Sequence, residues 1–180
     1  MVFPVVLLAS LMGISKTSSA QTLMKAPVLD AALQDVIRAM TVINGKRMPA
    51  LQNRVVVIAF FASWCPPCRP EFDELNTLRQ SFSANDVSII AINLFENFFD
   101  DDKGARMKRF LKKTNPGFSI LQAESDDAVS RAFGGVERIP TVFVFDRQAK
   151  PVYSFVHLQG ASKMHVSARE IEPHVRRALK

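Results

Sequence analysis

The chain has 180 residues, 48% of them hydrophobic and 22% charged, the mixture of an ordinary soluble globular protein, and its length sets an expectation of one domain. With 7 Gly and 10 Pro there is no collagen-like or low-complexity bias, 14 Phe supply a core, and 2 Cys exclude a disulfide-scaffolded miniprotein and a four-thiolate zinc site within one chain. The net charge of +6 is basic, but the aromatics are nearly all Phe inside apolar runs rather than interleaved with Lys and Arg, so no nucleic-acid partner is expected.

Val2 to Ile14 is an uncharged apolar run, too short to cross a hydrocarbon layer of about 30 Å. Ser18 and Ala20 fit the small positions of signal-peptidase cleavage, so residues 1–20 read as a signal peptide cut after Ala20, with an uncleaved short anchor or a misassigned start codon as the alternatives. No Lys or Arg precedes the run, which departs from the usual leader pattern. Each reading places residues 21–180, a single domain, outside the cytoplasm in the periplasm, where a thiol pair can be kept as a disulfide.

In the following chain, Leu29, Leu33, Val36, Ile37 and Met40 recur at helical spacing and predict a short packing helix. Asn44-Gly45, flanked by Thr41-Val42-Ile43 and Arg47-Met48-Pro49-Ala50, suits a tight turn and predicts a small hairpin. Val55 to Ala62 is continuously apolar and rich in β-branched residues, as a central strand covered on both faces requires. Phe72, Leu75, Leu78 and Phe82 predict a helix beginning at or just after Cys65. Val87 to Leu94 is a second buried strand, Lys103 to Lys113 a basic helix and Asp126 to Phe133 a short helix. Thr141 to Phe145 and Val152 to Val156 suit an antiparallel pair, and Ile171, Val175 and Leu179 stripe a last helix. The implied architecture is a parallel βαβ unit followed by ββα.

The chemistry lies in Trp64-Cys65-Pro66-Pro67-Cys68, at the junction of a buried strand and a helix. A thiol at a helix N-terminus is stabilised as thiolate by unpaired N–H groups and the macrodipole, so Cys65 is the expected nucleophile, more exposed and more acidic. Cys68, one turn on, would resolve the mixed disulfide. The alternatives are a helix-capping disulfide or half of a metal site shared between chains. Glu71, three residues beyond Cys68, would be near enough to take that thiol's proton; otherwise it is an ordinary acidic residue of a first helical turn.

The runs Phe60-Phe61-Ala62-Ser63-Trp64-Cys65-Pro66-Pro67-Cys68-Arg69-Pro70-Glu71 and Arg138-Ile139-Pro140-Thr141-Val142-Phe143-Val144-Phe145-Asp146 resemble the thioredoxin superfamily, specifically its TlpA-like branch of exported thiol-disulfide oxidoreductases, from about Asn44 to the C-terminus. The resemblance implies an α/β thioredoxin fold, a central mixed sheet flanked by helices, here with an N-terminal helix and hairpin and a helical insertion over Leu94 to Ser119. It implies catalytic Cys65 and Cys68, with Glu71 at the position where this branch carries a Glu. Pro140 would be a cis-proline facing the thiols, Ile139 would offer backbone groups to substrate, and Trp64 would shield the pair. The alternative for Pro140 is the start of an edge strand. Ala59 stands where cytoplasmic thioredoxins carry a buried Asp. No bound cofactor is implied.

The expected function is reduction of disulfides in exported proteins with cysteine pairs, apocytochrome c or copper-site cysteines among them, with a membrane thiol-disulfide donor recharging a monomeric protein. A disulfide-forming oxidant on the same fold and a copper-handling or redox-sensing module are the alternatives. His157, His165 and His174 share no metal-ligand spacing, so no metal site is expected. The basic helix reads as a solvated face, with docking to an acidic partner or a membrane surface as its alternative.

Overall fold

In the computed structural model, the described residues are 26–45, 48–100 and 104–180. The expected leader at residues 1–20 lies outside them. Among the described residues the elements run α1 (Ala31–Arg38), β1 (Thr41–Asn44), β2 (Val55–Phe61), α2 (Cys68–Ser81), β3 (Val87–Asn93), α3 (Ala105–Thr114), β4 (Ser119–Gln122), α4 (Asp126–Ala132), β5 (Thr141–Phe145), β6 (Pro151–Val156) and α5 (Ala168–Ala178), with a 3-10 turn at Glu96–Phe98.

One six-stranded mixed sheet runs β1-β4-β3-β2-β5-β6. β2 pairs parallel with β3 and antiparallel with β5, so Val57 lies between Ile89 and Val144. β2 is buried along its whole length, as its unbroken apolar run requires. Its side chains alternate between two layers. Val55, Val57, Ala59 and Phe61 face α2, α3 and α5, where Phe72, Leu75, Phe110, Ile171 and Val175 close the core. Val56, Ile58 and Phe60 face Leu33 and Ile37 of α1 and Val129 of α4. This is the thioredoxin fold that the sequence resembles.

Three expectations change in detail. The segment before Asn44-Gly45 is a strand, but its partner is β4, with Val42 opposite Leu121, rather than residues 48–50. A two-stranded ribbon is marginal alone, whereas pairing onto β4 joins β1 to a six-stranded sheet. Residues 46 and 47 lie outside those described. β4 was not expected, because four residues are too few to show a period. The helix carrying the motif begins at Cys68, with Pro67 as N-cap, so Cys65 lies in the preceding turn.

Candidate active site

The cysteines sit beyond the C-terminal end of β2, where the sheet stops and the chain must turn. Cys65 N–H donates to the Ala62 carbonyl at 3.2 Å and Cys68 N–H to the Cys65 carbonyl at 3.3 Å, which folds the five-residue motif onto itself. Cys65 and Cys68 are joined in a disulfide. Cys65 keeps a 4% exposure while Cys68 has none, and Pro66 between them is exposed.

A helix N-terminus normally offers a row of unpaired amides. Here Pro66, Pro67 and Pro70 have no N–H to give. Cys68 N–H turns to Cys65 and Glu71 N–H reaches the Pro67 carbonyl at 3.5 Å. The amide left in this first turn is that of Arg69.

Glu71 is fully buried on α2, one turn beyond Cys68 and on the same side of the helix. Its Oε2 accepts Val166 N–H at 3.4 Å and its Oε1 has no hydrogen-bond partner among the described residues. Burial pushes its carboxyl up to about 8, the Val166 amide opposing only in part. An ordinary surface acid of a first helical turn is thereby excluded. Ala59, on the strand face of the same core layer, leaves Glu71 as the acid beneath the motif.

The indole N–H of Trp64 donates to the Phe95 carbonyl at 2.7 Å, and the ring meets Phe98 and Phe99 at centroid distances of 5.7 and 5.1 Å. Phe95 has φ 64°, unusual for a residue with a side chain, and its N–H donates to Asp126 Oδ2 at 2.9 Å, so its backbone is held from both sides. Desolvation raises the Asp126 carboxyl, the Phe95 amide pulls it down, and Asp127 and Glu96 push it up further.

Glu96 was missed by sequence reasoning. Its carboxylate accepts the Ser63 N–H at 2.9 Å, the Ser63 hydroxyl, and the amide of buried Asn93 at 2.7 Å. The available signal was Asn93, a polar residue ending an otherwise apolar buried strand, which needs a partner.

Pro140 precedes β5, whose Thr141 lies opposite Phe60, so it stands at the same sheet end as the cysteines. The Ile139–Pro140 bond is cis, and the Pro140 carbonyl accepts His157 N–H at 3.0 Å. Ile139 is half-buried and packs against both core layers. Trp64, Cys65, Cys68, Ile139 and Pro140 are therefore brought to one end of the sheet. His157 also reaches this end through its N–H on Pro140, but among the described residues no three His, Cys, Asp or Glu are grouped to hold a metal ion.

Residues 30–167 match the Redoxin family. Thiol-disulfide oxidoreductase ResA of Bacillus subtilis strain 168 is 26% identical over 132 residues, covering 72% of this chain and 69% of that protein. Among solved structures, a protein assigned as thiol:disulfide interchange protein DsbE from Chlorobium tepidum superposes with a TM-score of 0.55 at 28% identity, over 72% of this chain and 82% of that one. A secreted Mycobacterium tuberculosis disulfide oxidoreductase shares the fold, with a TM-score of 0.60 at 19% identity over 79% and 98% of the two chains.

Proposed function

The chain belongs to the Redoxin family and to the TlpA-like branch of the thioredoxin superfamily, and on that premise we propose that it works as a reductant of disulfides in exported proteins. It is a thiol-disulfide oxidoreductase. The direction of electron flow is the proposal, and the observation that carries it is the shortage of amide donors at the start of α2.

In the reduced protein, the Cys65 thiolate attacks one sulfur of a substrate disulfide, forming a mixed disulfide and expelling a substrate thiolate, which takes a proton. Cys68 then attacks Cys65, restoring the Cys65–Cys68 bond and releasing the second substrate thiol. Two electrons pass from the dithiol to the substrate. The ionised fraction of Glu71 takes the Cys68 proton; a carboxyl pushed up to about 8 by burial is a strong enough base to accept it. Trp64, Pro140 and the backbone of Ile139 form the substrate contact. The secreted M. tuberculosis protein supports an extracytoplasmic setting, with residues 1–20 as the leader or anchor. A membrane dithiol donor would recharge the pair, and the cysteines of apocytochrome c or of copper sites are the kind of substrate we favour.

A thiolate with few donors is poorly stabilised, so the reduced form is less favoured and gives electrons more readily; the cations Arg69, Arg109 and Lys113 beside Cys65 work against this, but they are exposed and screened by solvent. Burial works in the same direction: the desolvation that raises Glu71 also disfavours charge on Cys68. One charge-assisted hydrogen bond of about 1.5–3 kcal/mol corresponds to about 30–60 mV.

Equilibration with a dithiol buffer of known potential tests this. The wild-type couple should lie toward the thioredoxin end, at about −270 mV, and away from about −120 mV. Pro67→His, which restores an N–H, should become more oxidising by tens of millivolts. A wild-type value at the oxidising end, or a more reducing Pro67→His, overturns the proposal.

A further inference from the structure

Beside Cys65 lies a cleft of about 380 Å³ lined by Ser63, Trp64, Cys65, Pro66, Phe110 and four cationic side chains, Arg69, Arg106, Arg109 and Lys113. No acidic side chain lines it among the described residues. Arg106, Arg109 and Lys113 are spaced by three and four and so occupy one face of α3. Phe110 fixes that face. It is buried between Phe61 at 5.3 Å and Phe72 at 4.8 Å, and Phe72 belongs to the helix that starts at Cys68. α3 also carries Lys112, which is exposed and lies outside the cleft, and Lys108, which lines a different one. Three of the cations are thus oriented by a core contact toward the reacting sulfur, which a merely solvated basic face would not require.

Among the described residues Arg69, Arg109 and Lys113 form no ion pair, whereas Arg106 donates to the Asp100 carbonyl at 2.8 Å. A walled cleft of one sign concentrates the field and attracts the opposite charge.

We propose that this cleft binds an acidic segment next to the reacting cysteine of a substrate protein, so that Asp or Glu flanking a disulfide selects it for reduction. The proposal rests on the reductant reading above and names its substrate class. The carboxylates would seat on Arg109, Lys113 and Arg69 while the substrate sulfur stands over Cys65. The electron and proton transfers are those already described, with the acidic segment unchanged by them.

The test is the rate at which the reduced protein reacts with three synthetic peptide disulfides of equal length, their cysteines flanked by Asp and Glu, by Ser, or by Lys, followed through the fluorescence of Trp64. Uncharged hydroxyethyl disulfide is the reference. The acidic peptide should react about tenfold faster than the Ser peptide at low ionic strength, the Lys peptide slowest, and the differences should shrink as salt is added. The ratio of acidic to Ser rates should fall toward one in the Arg109→Ala, Lys113→Ala double variant and persist in Lys112→Ala. Equal rates for the three peptides, or a ratio indifferent to the double variant, overturn the assignment. So does glutathione disulfide reacting as preferentially as the acidic peptide, which would make the occupant a small thiol. Binding to phosphatidylserine vesicles lost in the double variant, with no peptide preference, would replace it with a lipid face. Failure to react with hydroxyethyl disulfide would refute the reductant reading itself, whereas reaction with all substrates at one rate would refute only the cleft.

Discussion

Glu96 binds Ser63 through both the backbone N–H and the side-chain hydroxyl, tying the turn before the first cysteine to the segment that follows β3. The same carboxylate takes the amide of Asn93 at the end of that strand, so one side chain joins the C-terminal ends of β2 and β3. Trp64, the next residue, is fastened to Phe95, next to Glu96. The position of the indole beside Cys65 is therefore set by residues more than thirty positions away.

Replacing Glu96 by Ala leaves the Ser63 N–H without its acceptor and the buried Asn93 amide with the longer bond to the Phe61 carbonyl at 3.3 Å. The expected loss of stability is about 2 kcal/mol, with a shift in Trp64 emission as the turn loosens. Glu96→Gln, which keeps one acceptor oxygen, should lose less. Chemical denaturation with fluorescence detection measures both, and an Ala variant indistinguishable from wild type would mean that the turn holds itself.

Phe72 and Phe98 give a contrast in burial. Phe72 is fully buried, with Phe61, Phe110 and Phe118 at 4.7, 4.8 and 5.3 Å, while Phe98 is 73% exposed. Phe72→Ala should cost about 3–5 kcal/mol and Phe98→Ala no more than about 0.5 kcal/mol. Thermal unfolding of the oxidised proteins checks the pair. A comparable loss at Phe98 would show that the aromatic surface around Trp64 is part of the core.

β2, β3 and the helix between them were legible because long unbroken or periodic apolar runs carry their own signal, and the Cys65–Cys68 pair declared itself by its place between them. β4 and its pairing with β1 were not: Ser119 to Gln122 is too short for a period, and a strand's partner is a tertiary choice that local sequence does not contain. Glu71 was visible by spacing, yet its complete burial depends on the Val166 loop, contributed by residues 95 positions away. The Glu96–Ser63 clasp was hidden for the same reason, with only Asn93 to hint at it. That Arg106, Arg109 and Lys113 line the cleft beside Cys65 was not legible either, because their aim depends on where Phe110 is buried.

The two thiols should differ sharply in the reduced protein. Cys65 has the residual exposure and lies in the turn before α2, whereas Cys68 is enclosed in the first turn of α2 above a buried acid. Alkylation across pH with peptide mapping should label Cys65 much faster, and Cys68→Ser should accumulate mixed disulfides on Cys65 that the wild type resolves. Faster labelling of Cys68 at neutral pH would reverse the assignment of nucleophile and resolving thiol.

The last prediction concerns stability and pH, through Glu71. Its carboxyl has an ordinary value of 4.5 and is pushed up to about 8 in the fold by burial, so between those limits the folded chain holds a proton that the unfolded chain has released. Stability must therefore fall as pH rises through this window, and the loss is complete above it. At about 1.4 kcal/mol for each unit of displacement, the upper bound is about 5 kcal/mol. Glu71→Gln cannot release the proton, and its amide oxygen can still accept Val166 N–H. Subtracting the variant's profile from that of wild type, both with the disulfide intact, removes the groups they share. The difference should be nearly level below pH 4.5, then move steadily in favour of Glu71→Gln up to about pH 8 and level off again. The Tyr153 hydroxyl, whose own upward displacement owes a part to the charge of Glu71, should titrate earlier in the variant. Urea unfolding at a series of pH values gives the measurement. A difference independent of pH across that window would mean that Glu71 is ionised in the fold, with water or a cation reaching its Oε1.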